Sequence, residues 1–379
     1  MGQVSVTGTL AGFDVDPARS RALPGSYYYD PAVFAREATA IFHATWQYVG
    51  HVSMLPRPGS YIVREILDQS VVVARDLKGD LRAFFNVCQH RAHRLLEGEG
   101  TLGAVITCPY HAWVYGLDGA LRTARGAETG FDTGAFPLAK VRLAEVRLAS
   151  FLGFLFVNLD GRAEPFEAVA GALHAEVASF SPGAAELTCA DRSTYRLKAN
   201  WKVSVENYDE CLHCPNRHPT LVGNALDWSS YRIAVHPYHH SHTSRDRAAD
   251  LGYGTTTAGA AKPREFGSWL LWPNWCLEAY PGGNLTVFHH VPLGPELMVQ
   301  QCEWYFPHAT PTAKEREVID FVDVVRKEDI PICESVQRGL HSLGYRRGRF
   351  VVDDGRTEIS EHAVHDVQLK VLRALGEVA

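Results

Sequence analysis

Three observations predict an α+β chain of two domains. Between Trp46 and about residue 160, short segments rich in Val, Ile and Phe alternate with turn signals, the texture of an antiparallel β-domain. Beyond Phe166, helical and strand-like stretches mix without any repeat at solenoid periods. The 379 residues, with 46% hydrophobic side chains, are enough for two separate cores.

Residues 1–28 are rich in Gly, Ser and Pro and read as irregular. Asp30-Pro31 opens a helix, with Asp as N-cap and Pro at the first helical position, and Phe34, Ala38, Ile41 and Phe42 continue it to about His43. Strands are expected at Tyr61–Ile66, Val71–Ala74, Leu81–Val87, Ala104–Thr107 and Trp113–Tyr115, divided by turns such as Pro56-Arg57-Pro58-Gly59 and Lys78-Gly79-Asp80. Phe166–Phe180 reads as a helix and Glu186–Trp201 as a strand. Ser204–His218 reads as a helix broken by Pro215 and Pro219. Residues 223–265 are rich in Gly, Ala and Thr and read as a long loop region. Strand texture returns at Trp269–Pro281, Leu285–Pro292 and Met298–Phe306. Thr310 or Thr312 caps a helix carrying Val318, Phe321, Val322 and Val325, which Pro331 is expected to interrupt. Ser360–Leu375 forms a last amphipathic helix.

Bulk numbers exclude several functions. A net charge of -6 without a basic run argues against a nucleic-acid binder. The longest apolar run, Ala149–Leu159, is about half of what a membrane span needs. The first 24 residues lack the pattern of a signal peptide, so a reducing cytoplasm is the expected location. Eight Cys in this length are too sparse for a disulfide scaffold.

The densest chemistry lies between Cys88 and His111. Cys88-Gln89-His90-Arg91 and Cys108-Pro109-Tyr110-His111 each offer one thiolate and one imidazole, and 17 residues separate His90 from Cys108. Two Cys and two His are the ligand set of a Rieske [2Fe–2S] centre. Structural zinc is the rival, although zinc modules more often pair Cys with Cys and His with His.

A second cluster runs from Glu206 to His218. His213 and His218 are five apart, about 140° on an ideal helix, so they converge only if the helix is distorted at Pro215. Two His with one carboxylate make the facial triad of non-haem Fe(II) oxygenases. Asp329, beside Pro331, is the leading third ligand, with Asp320, Asp323 and Glu334 as rivals. Glu210, three residues before His213, is placed to hold a ligating imidazole or to reach a His of another metal site. Cys211 and Cys214 read as thiols beside the iron. His239, His240 and His242, the next His-rich run, read as surface or core residues that could also bind metal.

Taken together these motifs resemble the oxygenase (α) component of Rieske non-haem iron oxygenases. The likeness rests on C-x-H-R…C-x₂-H at 88–111, Asn200-Trp201-Lys202, E-N-Y-x-E at Glu206–Glu210, the His213/His218 pair and E-D-x-x-x-C-E-x-V-Q at Glu328–Gln337, all in family order. The resemblance implies a small antiparallel β Rieske domain and a larger mixed, helix-grip-like catalytic domain with an antiparallel sheet. Their expected limits are 1–45 for an N-terminal segment packed on the catalytic domain, 46–160 for the Rieske domain and 161–379 for the catalytic domain. It further implies that Cys88 and Cys108 bind the inner iron, and His90 and His111 the outer one. His213, His218 and Asp329 would bind a mononuclear Fe(II), with Asn207 beside them. The same resemblance implies a homotrimer in which Glu210 bridges His213 to His111 of the next subunit. Dioxygen is the co-substrate, and a separate reductase, with or without a ferredoxin, delivers electrons from NAD(P)H.

Most ring-hydroxylating members carry Asp at the bridge. Glu210 points to the branch resembling the choline, glycine betaine, carnitine and proline-betaine oxygenases, and hence to mono-oxygenation, expected as N-demethylation, of a small quaternary ammonium substrate. Aromatic faces recognise such cations, and Tyr208, Trp272, Trp275, Tyr280 and Phe288 are the candidates. Hydroxylation or O-demethylation of an aromatic acid is the alternative chemistry. An electron carrier with only the Rieske centre is the alternative class, against which the long second domain argues.

Overall fold

The computed structural model describes residue 10, residues 12–126, 137–224, 226–246, 259 and 265–378. The chain folds as two compact units, one made of residues 43–163 and the other of residues 1–42 and 164–379. Among the described residues no helix is long and apolar enough to cross a membrane.

Helix α1 (Pro31–Glu37) starts as expected, with the Asp30 side chain accepting from the Ala32 N–H, and continues as a π-helical turn over Ala38–Phe42. It belongs to the larger unit and is tied there by charge. Glu37 accepts from Lys202 Nζ at 2.6 Å and from Trp201 Nε1 at 2.9 Å, with both ionic side chains fully buried. A buried pair of this kind is strongly destabilising to break, because it leaves an uncompensated charge. The Asn-Trp-Lys motif is thus an anchor for the N-terminal helix.

The smaller unit is all antiparallel. Its strands are β1 (Trp46–His51), β2 (Ser60–Ile66), β3 (Gln69–Arg75), β4 (Leu81–Phe85), β5 (Glu99–Thr101), β6 (Val105–Thr107), β7 (Val114–Gly116), β8 (Leu121–Thr123), β9 (Arg147–Phe151) and β10 (Phe154–Asn158). They form three sheets, ordered β1-β10-β9, β4-β3-β2-β5 and β6-β7-β8. Val63, Val72, Phe84, Ile106 and Tyr115 make its core together with Cys88 and Cys108.

In the larger unit, α2 (Phe166–Phe180) precedes β11 (Thr188–Leu197), α3 (Trp201–Tyr208), α4 (Cys214–Arg217) and α5 (Pro219–Asn224). Then follow β12 (Leu226–Val235), β13 (His239–Asp246), β14 (Glu265–Leu271), β15 (Trp275–Tyr280), β16 (Asn284–Gly294) and β17 (Leu297–Phe306). The unit closes with α6 (Ala313–Leu340) and α7 (His362–Ala374). The seven strands make one antiparallel sheet, β11-β17-β16-β15-β14-β13-β12, and α3 packs on α6.

Three expectations are corrected. The strand before Trp201 stops at Leu197, because Asn200 caps α3 through a 3.0 Å bond from the Lys202 N–H to its side chain. Residues 226–246 of the expected loop are two paired strands, in which cross-strand pairing wins over weak local propensity; 247–258 and 260–264 lie outside the described residues. Helix α6 runs through Pro331. The bond lost there is outweighed by the buried face formed by Val318, Ile319 and Val322 before it and Cys333 and Gln337 after it. Thr312 is the cap of α6 and forms a reciprocal capping box with Glu315.

A Cys/His loop pair and a two-histidine carboxylate centre

The two Cys/His arms of the smaller unit share one backbone design. In the first, the Cys88 N–H donates to the His93 carbonyl (2.9 Å) and the Ala92 N–H to the Cys88 carbonyl (3.0 Å). In the second, the Cys108 N–H donates to the Trp113 carbonyl (2.8 Å) and the Ala112 N–H to the Cys108 carbonyl (3.1 Å). Each loop turns through a left-handed alanine, Ala92 at φ 56° and Ala112 at φ 54°. Both thiols are buried and unbridged, whereas His90 is exposed and His111 half-buried. The His90 and His111 rings stand 4.6 Å apart, with His90 stacked on Trp113. Tyr115 was not foreseen. Its hydroxyl accepts from the Gln89 N–H (3.0 Å), which leaves its proton for Cys88 Sγ at 3.3 Å. Buried sulfurs with exposed imidazoles fit a [2Fe–2S] centre with its Cys side inward, and hydrogen bonds to the sulfurs tune its potential.

In the larger unit α3 ends at Tyr208 rather than continuing through the second cluster. His213 and His218 flank the short α4 as its caps, and this break brings them together. Their Nε2 atoms lie 3.1 Å apart. Asp329 Oδ1, from α6, lies 2.9 Å from His218 Nε2 and 3.4 Å from His213 Nε2. All three ligand atoms fall within 4.8 Å of one another. The three rival carboxylates, Asp320, Asp323 and Glu334, are not part of this group. Two imidazole nitrogens and one carboxylate oxygen converging on one point suit a divalent iron.

Each ligand is held from behind. His213 Nδ1 donates to Glu210 Oε1 at 2.5 Å, and His218 Nδ1 donates to Glu328 Oε2 at 2.7 Å. Both rings therefore turn an Nε2 lone pair inward. Asn207 Nδ2 donates to Asp329 Oδ1 at 3.4 Å. Arg326, buried one helical turn before Asp329, donates to its other oxygen, Oδ2. Burial alone would raise the Asp329 pKa, but Arg326 and the two imidazoles outweigh it and hold the carboxyl well below the usual range. Burial likewise lowers the His213 pKa, yet Asp329 and Glu210 reverse this and push it up to about 9. The centre is electrostatically a cation site.

A cavity that the triad itself helps to line is walled by Tyr208, Tyr231, Phe266, Ser268, Glu278 and Arg326. A second cavity, of about 240 Å³, is bordered by Tyr28, Glu206, Ile332 and Leu340. Glu210 and His213 belong to the walls of both. Of the five aromatic candidates only Tyr208 lines the triad's cavity. Phe288 packs behind Tyr208 at 5.7 Å and beneath the Arg326 guanidinium at 5.1 Å. Tyr280 packs on Phe266 and donates to Glu278. Trp275 lies buried on the opposite face of β15, as strand alternation requires, and Trp272 packs on Trp201. Sequence reasoning missed Tyr231 and Phe266, which came from stretches without a motif, and Arg326 and Glu278; it quoted Glu328 within a motif without giving it a role. Arg326 lies three residues before Asp329, the one signal that pointed to it. Cys211 and Cys214, read as thiols, are joined in a disulfide, their Cα atoms 5.0 Å apart across one turn.

A Cys₂His₂ loop pair in one unit and a two-histidine carboxylate centre in the other define a redox protein equipped with two kinds of iron. The comparisons make this specific. Residues 45–142 match the Rieske [2Fe-2S] domain, and residues 184–377 match the ring hydroxylating alpha subunit (catalytic domain). The chain is 37% identical over 367 residues to the carnitine monooxygenase oxygenase subunit of Escherichia coli (strain K12), covering 93% of each chain. It is 31% identical to the chloroplastic choline monooxygenase of Amaranthus tricolor, covering 87% of this chain and 73% of that one. The crystal structure of the quaternary ammonium Rieske monooxygenase CntA in complex with L-carnitine superposes with a TM-score of 0.84, at 32% identity, over 96% of this chain and 97% of that one. The chain belongs to the Rieske non-haem iron oxygenases, as an oxygenase (α) component. Its cofactors are a Rieske [2Fe–2S] cluster and a mononuclear iron, with dioxygen as co-substrate and electrons supplied through a reductase.

Proposed function

We propose that this oxygenase hydroxylates a carbon next to the nitrogen of a small betaine-like quaternary ammonium compound, so that the carbinolamine formed collapses to formaldehyde and a demethylated amine. The observation that carries the reading is Glu278, a half-buried carboxylate lining a cavity walled by Tyr208, Tyr231 and Phe266 beside the triad. A carboxylate among aromatic faces suits a cation without N–H groups, which charge and π-faces can hold but hydrogen bonds cannot. Carnitine and choline, which name the similar proteins above, both carry such a nitrogen.

In this reading Cys88 and Cys108 hold the inner iron of the cluster and His90 and His111 the outer, while His213, His218 and Asp329 hold the mononuclear iron. The bound metals supply the one-electron chemistry that lets dioxygen react with a C–H bond. The chain's own residues supply placement. Glu210 and Glu328 keep the Nδ1 protons, so both imidazoles present Nε2. Arg326 occupies Asp329 Oδ2 and leaves Oδ1 for the metal. Glu210 has a further role as the bridge to His111 of a neighbouring subunit in a homotrimer. The reductase partner draws on NAD(P)H, and the system works in the cytoplasm.

The test is oxygen uptake and formaldehyde release by the enzyme with reductase and NADH, across a panel of betaines and aromatic acids. Uptake matched by formaldehyde is expected with a betaine. Turnover of an aromatic acid with no response to any betaine would sink the reading. A pH profile examines Glu278 directly. Burial raises its pKa, against hydrogen bonds from Tyr280 and Tyr208 and the Arg326 charge, to about 7. The group is neutral below that value and anionic above it, so affinity for a fixed cation should rise from pH 6 to pH 8, by up to about tenfold per pH unit below the midpoint. Glu278→Gln should weaken binding and flatten the profile.

A further inference from the structure

The His-rich run after β12 takes no part in the chemistry above, yet two of its imidazoles meet a carboxylate. Glu176, near the end of α2, directs Oε1 to His239 Nε2 at 3.0 Å and to His236 Nε2 at 3.4 Å. His236 and His239 close the turn between β12 and β13, with the His236 N–H donating to the His239 carbonyl at 2.9 Å. The other carboxylate oxygen, Oε2, is already filled, accepting from Ser241 Oγ at 2.5 Å and Trp269 Nε1 at 2.9 Å. Glu176 is thereby locked with one oxygen committed to the protein and one offered to the imidazoles. The three ligand atoms lie within 4.8 Å of one another, and the group shares no residue with the iron triad.

We propose that Glu176, His236 and His239 form a second metal site, which takes one divalent cation of borderline softness, zinc above all, separately from the iron centre. Two imidazoles and one carboxylate are a zinc-type donor set, with the fourth position left to water. His239 is buried and fixed, whereas the His236 side chain is 36% exposed and forms the open side of the site. The two rings are stacked 4.3 Å apart at 11°. His239 can meet an ion in its ring plane, and His236 reaches the same ion by turning its exposed ring out of the stack. Burial would raise the Glu176 pKa, but His239, Ser241 and Trp269 bring it down to about 2. Burial and the neighbouring His239 keep His236 below the ordinary imidazole value, with its lone pair available at neutral pH. An ion here would clamp α2 to the β12–β13 turn. Strand β13 then carries His240 and His242, both bonded to Asp209, the residue before Glu210.

The test is titration of the iron-replete enzyme with zinc chloride by calorimetry, with zinc and iron counted by mass spectrometry before and after. One zinc per chain is expected to bind with unchanged iron content and unchanged Rieske absorbance. His236→Ala, at a half-exposed position in a turn, should weaken this binding at least about tenfold. Glu176→Gln should do the same, and the extra zinc should persist in His213→Ala. No zinc uptake at iron-replete stoichiometry overturns the proposal, and so does equal affinity in wild type and His236→Ala. Zinc bound only at the expense of iron also overturns it.

Discussion

The two cofactor regions solve the same problem in opposite ways. In the smaller unit each pair of ligands comes from one short loop, and the two loops repeat the same hydrogen bonds and the same left-handed alanine. In the larger unit the triad is assembled from α4 and α6, with Asp329 lying 111 residues beyond His218. A loop that carries its own ligands is preorganised by local backbone bonds. A centre assembled across the fold depends on whatever holds its distant parts in register, here Glu210, Glu328, Asn207 and Arg326. The lesson is that the second site is the more exposed to changes in residues that never touch the metal.

The largest effects should separate the two regions outright. Cys88→Ser should lower iron from about three to about one per chain and abolish the Rieske absorbance. His213→Ala should remove the single iron, keep the absorbance and end substrate-dependent oxygen uptake. Loss of both signals in either variant would show that the regions are not independent. Next comes Arg326→Met, which leaves Asp329 buried beside a neutral side chain. A cost of about 3–5 kcal/mol in denaturant unfolding is expected, with weakened iron retention. A variant as stable as wild type would place the support of Asp329 elsewhere. Glu328→Gln should lower iron affinity by about 10–100-fold, measured by chelator competition, without altering the Rieske spectrum. The smallest effect belongs to the local loops. Ala112→Val forces a β-branched residue into the left-handed region and should cost about 1–2 kcal/mol in thermal or denaturant unfolding, leaving the triad's iron untouched.

The same contrast explains what could be read from the amino acids. The two Cys/His arms were legible as a pair because spacing within a loop is written in the chain, and the structure brings their imidazole rings within 4.6 Å. So were the Asp30 cap and the helix at Phe166–Phe180, which rest on local rules, while the cap of α6 stayed open between Thr310 and Thr312. His213 and His218 were legible as residues, but their convergence needed the helix to end at Tyr208, which no propensity demanded. Asp329 stood among rivals because a helix presents a carboxylate every few positions, and only tertiary packing chooses one. The cavity wall was least legible. Strand alternation decides that Glu278 faces the cavity and Trp275 does not, and a one-residue shift of register would have exchanged them. Residues 226–246 were misread for a related reason, since the edge strand β12 and the Ser- and His-rich β13 beside it owe their pairing to neighbours rather than to themselves.

One feature of the larger unit bears on how such an enzyme can be adjusted. Asn207, Glu210 and His213 line two cavities at once, so a few side chains of the centre face both. The His213 ring turns Nε2 to Asp329 and donates from Nδ1 to Glu210. A change of charge or packing at Glu210 therefore alters how strongly the Nε2 lone pair is offered. Tyr28, Ile332 and Leu340 border the second cavity together with Glu210, so substitutions there reach His213 through its carboxylate partner. The triad can thus be adjusted through the wall of the second cavity as well as through its own three residues.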